Sequence, residues 1–258
     1  MMLLQWLYSG CGTTLMAYEV VVILSGAVLA AVVSGSSGFA FGLIASAIWL
    51  HVLAPNQVVP LVVVCSMLVN AAMAWRLRGM VRFNLLWPFL AGAMIGVPIG
   101  VAALHRLDGH LVRQGVGVLL VAYSVYMLSR PVMPVVRLGL AGGRMADGAV
   151  GMLGGFMGGA TSLNGVFPTL WCGLRGWSKA DQRGVFQSYI LVVHAVTLAW
   201  MGSAGELNAT TGRNVLLCLP ALVIGSWLGL RLFHHVSEAG FRKLILALFL
   251  LSGLALLR

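Results

Sequence analysis

The sequence predicts an all-α polytopic membrane protein. It reads as two inverted-topology repeats of five helical segments each, the first two segments of each repeat forming a short or re-entrant hairpin. Three observations predict this. The 258-residue chain is 60% hydrophobic and 9% charged, too little charge for a water-facing surface. Apolar runs of spanning length recur to the C-terminus, continuous rather than alternating, which favours helices over a β-barrel. The two halves also correspond in order across a basic linker.

The elements follow in sequence. Residues 1–16 contain no Lys or Arg and so lack the basic start of a signal peptide. Apolar segments then fall at about 17–34, 38–53, 57–76, 84–104 and 112–128, which together make repeat 1, residues 17–128. A cytoplasmic linker, "SRPVMPVVRLGLAGGRMA", occupies 129–146. Repeat 2, residues 147–258, has segments at about 147–160, 164–174, 184–202, 212–233 and 241–257. An offset of 129 places Gly96 on Gly225, Gly100 on Gly229, His105 on His234 and Arg113 on Arg242. Glu19 and Asp147 open the first segment of each half, and Trp75 and Trp200 close the third.

Charge sets orientation. If each segment reverses the chain, 12 of the 16 basic residues share one side: Arg76, Arg78, Arg82, Arg130, Arg137, Arg144, Arg175, Lys179, Arg183, Arg231, Arg242 and Lys243. That side should be cytoplasmic, with both termini outside. The formal charge of +10 would suggest nucleic acid in a soluble protein. Here it follows membrane topology, so the lipid bilayer is the expected partner and nucleic acid is not.

The first two segments cannot form one straight helix. Residues 17–53 would run about 55 Å at ~1.5 Å per residue, against a ~30 Å hydrocarbon core. The chain must turn at Ser34, Gly35, Ser36, Ser37 and Gly38. Its counterpart is "GGFMGGATSLNGVFP", with Gly159, Thr161, Ser162, Asn164 and Gly165. At about 21 and 16 Å, segments 147–160 and 164–174 read as too short to span singly. Irregular backbone at membrane depth must be buried in protein or face a water-filled cavity. A helix starting there leaves N–H groups free at the positive end of its dipole. Ser36 or Ser37 would cap one such helix; Thr161, Ser162 or Asn164 would cap the other, with Pro168 in its first turn. Two such ends brought together would hold an anion without a buried Lys or Arg.

Other residues carry two readings each. Asn70 and His194 could touch substrate or carry a proton, or could bond a neighbouring helix. Arg183, beside Gln187, is a fixed positive charge near the site or a topology charge. Glu19 and Asp147 read as helix-start acids or, alternatively, as proton-coupling acids. Gly92, Gly96, Gly100, Gly151, Gly155, Gly225 and Gly229 read as close-packing positions. Cys11, Cys65, Cys172 and Cys218 are scattered and read as packing residues. No metal-ligand spacing or nucleotide loop occurs, so no cofactor is expected.

Four stretches carry a family resemblance: "SGSSGFAFGLIASAIWLHVLAPNQVVPLVVV", "GGFMGGATSLNGVFPTLWCGLRGWSKADQRGVFQ", "LAGAMIGVPIGVAALHRL" and "IGSWLGLRLFHHVSEAGFRKLILALFLLSG". Their order resembles the sulfite exporter TauE/SafE family. The resemblance implies a permease of the bacterial inner membrane that exports sulfite, sulfoacetate or related sulfur-containing anions. A homo-oligomer is compatible with the sequence. The other readings are an anion channel lined by the same donors, and an intramembrane enzyme or assembly scaffold. For an enzyme, no nucleophile–base pair is forced together by the sequence.

Overall fold

The fold was analysed in a computed structural model. It describes residues 2–37, 40–74, 82–106, 108–129, 135–205, 207–232, 246–247, 249–251 and 253–257. For 2–17, 36–37, 73–74, 105, 179–180, 183, 230 and 232 only the backbone is described. Among these residues all regular structure is helical. The helices are α1 (Met2–Ser37), α2 (Phe41–Trp49), α3 (Pro55–Ala74), α4 (Phe83–Arg106), α5 (Gly109–Ser129), α6 (Leu140–Thr161), α7 (Val166–Leu174), α8 (Lys179–Ser203) and α9 (Ala209–Leu232). Helical residues recur between 246 and 256. Arg76, Arg78, Arg130, Arg242 and Lys243, counted above for orientation, lie outside the described residues.

Among the described residues, six helices contain stretches long and apolar enough to cross a membrane: Tyr18–Gly35, Pro55–Ala72, Phe83–Leu104, Gly109–Ser129, Gly184–Ser203 and Ala209–Gly229. The 9-residue helices α2 and α7 are not among them. Each is about 13 Å long, roughly half the hydrocarbon thickness. They are as apolar as the spans yet too short to cross.

Each short helix folds back along the long helix before it. Trp49, at the end of α2, donates its indole N–H to the Ile23 carbonyl of α1 at 3.1 Å. Gly26 makes room for that ring: a Cβ there would lie 2.9 Å from Trp49 Cδ1. In the second half, Trp171 of α7 donates to Asp147 Oδ1 of α6 at 2.6 Å, and Arg175 Nε lies 3.5 Å from the same oxygen.

Glycine seams join the halves. Gly92, Gly96 and Gly100 of α4 lie against the α6 backbone at Gly148, Met152 and Phe156. From the other side, a Cβ on Gly155 would sit 2.8 Å from Ala93 Cα. Residue numbers rise together along this seam, so α4 and α6 run parallel. Gly225 and Gly229 of α9 meet Val28, Ala31 and Val32 of α1 in the same parallel sense. Bilayer lipid is as apolar as Leu, so helices associate through close backbone approach, which these glycines permit.

Two expectations are corrected. Helix α6 begins at Leu140 rather than at 147, taking in part of the expected linker. The last proline of that linker is Pro134. Beyond it Gly139 serves as N-cap, and Gly143 in the added turns lies against the Arg175 side chain. Asp147 therefore does not start a helix. It is buried inside α6, 3% exposed. Likewise α1 begins at Met2, so Glu19 sits within it and is exposed. With 22 residues α6 is also longer than expected, about 33 Å. Asp147 lies 14 residues before Thr161, about 21 Å, which exceeds the ~15 Å half-thickness. A break at mid-depth then leaves Asp147 and Arg175 near the membrane surface.

Candidate functional site

The site starts where α6 stops. Thr161 is the last helical residue, and its hydroxyl donates back to the Met157 carbonyl at 2.7 Å. Ser162 then adopts the left-handed conformation, with φ 63° and ψ 6°. Among the described residues it is the only one besides glycine with positive φ. The reversal is closed by Ser162 N–H on the Gly158 carbonyl at 3.0 Å and Leu163 N–H on Met157 at 3.3 Å. Asn164 donates from Nδ2 to the Ile190 carbonyl of α8 at 3.3 Å. It packs over Gly158, where a Cβ would fall 2.8 Å from Asn164 Cβ.

The start of α2 meets this turn. Ser46 Oγ lies 3.5 Å from Ser162 Oγ. Gly42 closes on the turn so tightly that a Cβ would be 3.0 Å from the Ser162 carbonyl oxygen. The Ser162 hydroxyl also donates to the Thr161 carbonyl. The two helix breaks thus lie within about one helical turn of each other.

Neither short helix has the expected side-chain cap. The N-cap of α2 is Ala40 and that of α7 is Gly165, and neither makes a side-chain cap bond. Ser37 and Thr161 are instead consumed as last residues of α1 and α6, and Ser162 and Asn164 bond elsewhere. The first N–H groups of α2 and α7 have no intrahelical acceptor. Pro168 in α7's first turn removes one donor there, as expected.

Between these helix starts is a cavity of about 10 Å³, lined by Gly42, Leu43, Ser66, Ser162, Leu163, Asn164, Gly165, Val166 and His194. Ser66 is the twelfth of 18 residues in the span Pro55–Ala72, and His194 the eleventh of 20 in Gly184–Ser203. The cavity is therefore level with the middle of two candidate spans. A space of ~10–15 Å³ holds one water, so the cavity is too small for a sulfur oxyanion without widening. Among the described residues no Lys, Arg, Asp or Glu lines it. Asn70 donates to the Ser66 carbonyl at 2.8 Å and the Ser66 hydroxyl at 3.1 Å, so it orients Ser66 from one turn away. His194 is 1% exposed, and neither ring nitrogen has a hydrogen-bond partner.

Compared with known protein families, residues 23–256 match the family described as Sulfite exporter TauE/SafE. The chain belongs to this family. The match covers about nine-tenths of the sequence, and both breaks fall inside it. Neither the curated proteins nor the solved structures give a match. The TauE/SafE assignment makes the chain a membrane transporter of sulfur anions and not an enzyme.

In this TauE/SafE chain the predicted site residues divide. Ser162, Asn164, Gly165 and His194 line the cavity, and Thr161 and Asn70 support it from adjacent positions. Gly159 faces α4, where a Cβ would lie 2.6 Å from the Val97 carbonyl, so it belongs to the glycine seam. Ser34 and Gly35 are buried at the end of α1, and Gln187 is buried two turns before His194; none of the three lines the cavity. Gly38 and the side chains of Ser36, Ser37 and Arg183 lie outside the described residues. Three residues were missed: Ser46, Ser66 and Tyr189. Tyr189 is buried and donates to the Gly151 carbonyl at 2.6 Å, pinning α8 to α6. The spacing Ser66–Asn70, one helical turn, was the available signal for Ser66.

Proposed function

We propose that this protein exports small sulfur-containing oxyanions, such as sulfite, sulfoacetate or related organosulfonates, by alternating access around its paired breaks. One observation carries the reading. Two helix starts whose N-cap residues make no side-chain bond meet beside hydroxyls and an imidazole, with no fixed charge among the described residues lining the space. Such a site offers N–H and O–H donors to an anion and holds it weakly enough for release. The narrowness of the cavity favours a carrier over an open pore.

The two-repeat arrangement, residues 17–128 and 147–258, is part of the proposal. It is supported by matching lengths: α2 and α7 have 9 residues each, α4 and α9 have 24 each. The reciprocal parallel pairs, α4 with α6 and α9 with α1, also fit repeats that enter from opposite sides. We place the basic loops in the cytoplasm of a bacterial cell and both termini outside its inner membrane. A cell negative inside drives anion efflux by about 2.3 kcal/mol per charge per 100 mV.

The test is uptake of radiolabelled sulfite into liposomes carrying purified protein. Protein-dependent flux that saturates with concentration is expected. A Ser46→Ala/Ser162→Ala double variant should raise the half-saturating concentration. Saturable flux unchanged in that variant would remove the breaks from the site; currents resolvable as single-channel openings would replace the carrier with a channel.

A further inference from the structure

We propose that His194 takes up one proton as the anion binds and gives it up as the anion leaves, so that anion and proton cross together. This rests on the transport reading above and names the coupling of that same site.

Geometry carries the inference. His194 is the one ionisable side chain among the residues lining the cavity. It is 1% exposed, and both ring nitrogens lack a hydrogen-bond partner. Buried polar groups are normally paired, and an orphaned one in a native protein calls for an explanation. The Ser162 backbone is the polar group that interacts with the ring, short of a full hydrogen bond. An imidazole held in one tautomer for structural reasons has a fixed acceptor; this one has none.

The surroundings leave a charge on this ring without a counter-charge. From α3 come Ser66 and Asn70, both neutral, while Cys65 packs with Cys218 of α9. From α6 comes Asp147, already engaged by Trp171 and Arg175 at the far end of the hairpin. From α7 comes Cys172, from α4 the exposed Arg106, and on α8 itself Tyr189 bonds to Gly151. Of these groups only the neutral Ser66 lines the cavity. An isolated buried charge is costly, and so is a buried anion with no cation beside it. Each removes the other's penalty. The imidazolium N–H then donates to a sulfonate or sulfite oxygen, and the proton returns to water when the anion departs. A dianion accompanied by one proton moves one net charge instead of two, so the membrane potential still drives efflux.

Linkage gives the test. If binding takes up a proton, affinity falls as pH rises between the midpoints of the free and the anion-bound ring, about tenfold per pH unit for one proton. Sulfoacetate is the probe, because its acid groups stay ionised from pH 6 to 8. Calorimetric titration of purified full-length protein, in two buffers of different ionisation enthalpy, counts protons per anion. The wild type should take up close to one. His194→Gln should bind more weakly, with no proton uptake and no pH dependence. Binding by the wild type without proton uptake across that range overturns the coupling and leaves the anion site standing. Proton uptake that persists in His194→Gln assigns it to another group and also overturns it. Failure of both sulfoacetate and sulfite to bind the wild type would remove the anion site and the coupling together. The wild-type proton count decides even where His194→Gln does not fold.

Discussion

Consider Gly155→Ala, which adds one methyl group in the middle of α6. Built on the native backbone, that carbon falls 2.8 Å from Ala93 Cα and 2.9 Å from the Ala93 carbonyl oxygen. Ordinary contacts between carbons begin near 3.5 Å. The neighbour is backbone and cannot rotate away, so α4 and α6 must separate by roughly 0.5–1 Å over the seam. Overpacking of this kind costs about 1–3 kcal/mol. For a chain of this length each kcal/mol lowers the melting temperature by about 2–4 °C. Function should fall as well, because Ser162 is seven residues along from Gly155, about 10 Å. Gly142→Ala is the control on the same helix: it meets nothing within 4 Å. Removing a helical glycine there should leave stability equal or improve it by up to about 1 kcal/mol. The assay is thermal unfolding in detergent, followed by tryptophan fluorescence, with liposome flux measured in parallel. A Gly155→Ala protein that melts at or above the wild-type temperature would refute the close-packed seam.

Other predictions concern the two hairpins and their supports. Asp147→Ala leaves Arg175, whose side chain is 14% exposed, without its carboxylate; breaking such a pair from one side should destabilise by about 3 kcal/mol, read as a lower melting temperature. Tyr189→Phe removes the 2.6 Å bond to Gly151 and should lower stability by about 1 kcal/mol, with the loss appearing as a melting shift of a few degrees. Ser162→Gly should melt at or above the wild-type temperature, whereas Ser162→Val should melt lower, because a β-branched residue resists the φ of 63° that the turn needs. Equal melting of those two variants would argue against the left-handed turn.

Much of the fold was legible because membrane segments obey a length rule. Thirty-seven apolar residues are too many for one crossing, so a break near Ser34–Gly38 followed from arithmetic. The glycines of α4 and α9 were readable from their four-residue spacing. Helix boundaries were less readable. Asp147 looked like a helix start because acids favour that position, yet it pairs with Trp171 and Arg175 two turns and more into α6. The capping expectation failed for a related reason. Ser162 and Asn164 have the right chemistry for caps, but each found a partner through space, Ser46 and Ile190, that lies 116 and 26 residues away.

The sequence alone determined that the chain is helical, lies in a membrane and breaks twice at polar, glycine-containing stretches. Hydropathy and span length are local properties, and local properties can be read along a chain. Only the tertiary structure decided that Ser66 and His194 complete the cavity, that Gly159 belongs to the seam, and that α2 closes against the turn at Ser162. Those outcomes depend on which faces meet. Parallel packing of α4 on α6 and of α9 on α1 sets them, because glycine seams allow only one close approach of their backbones.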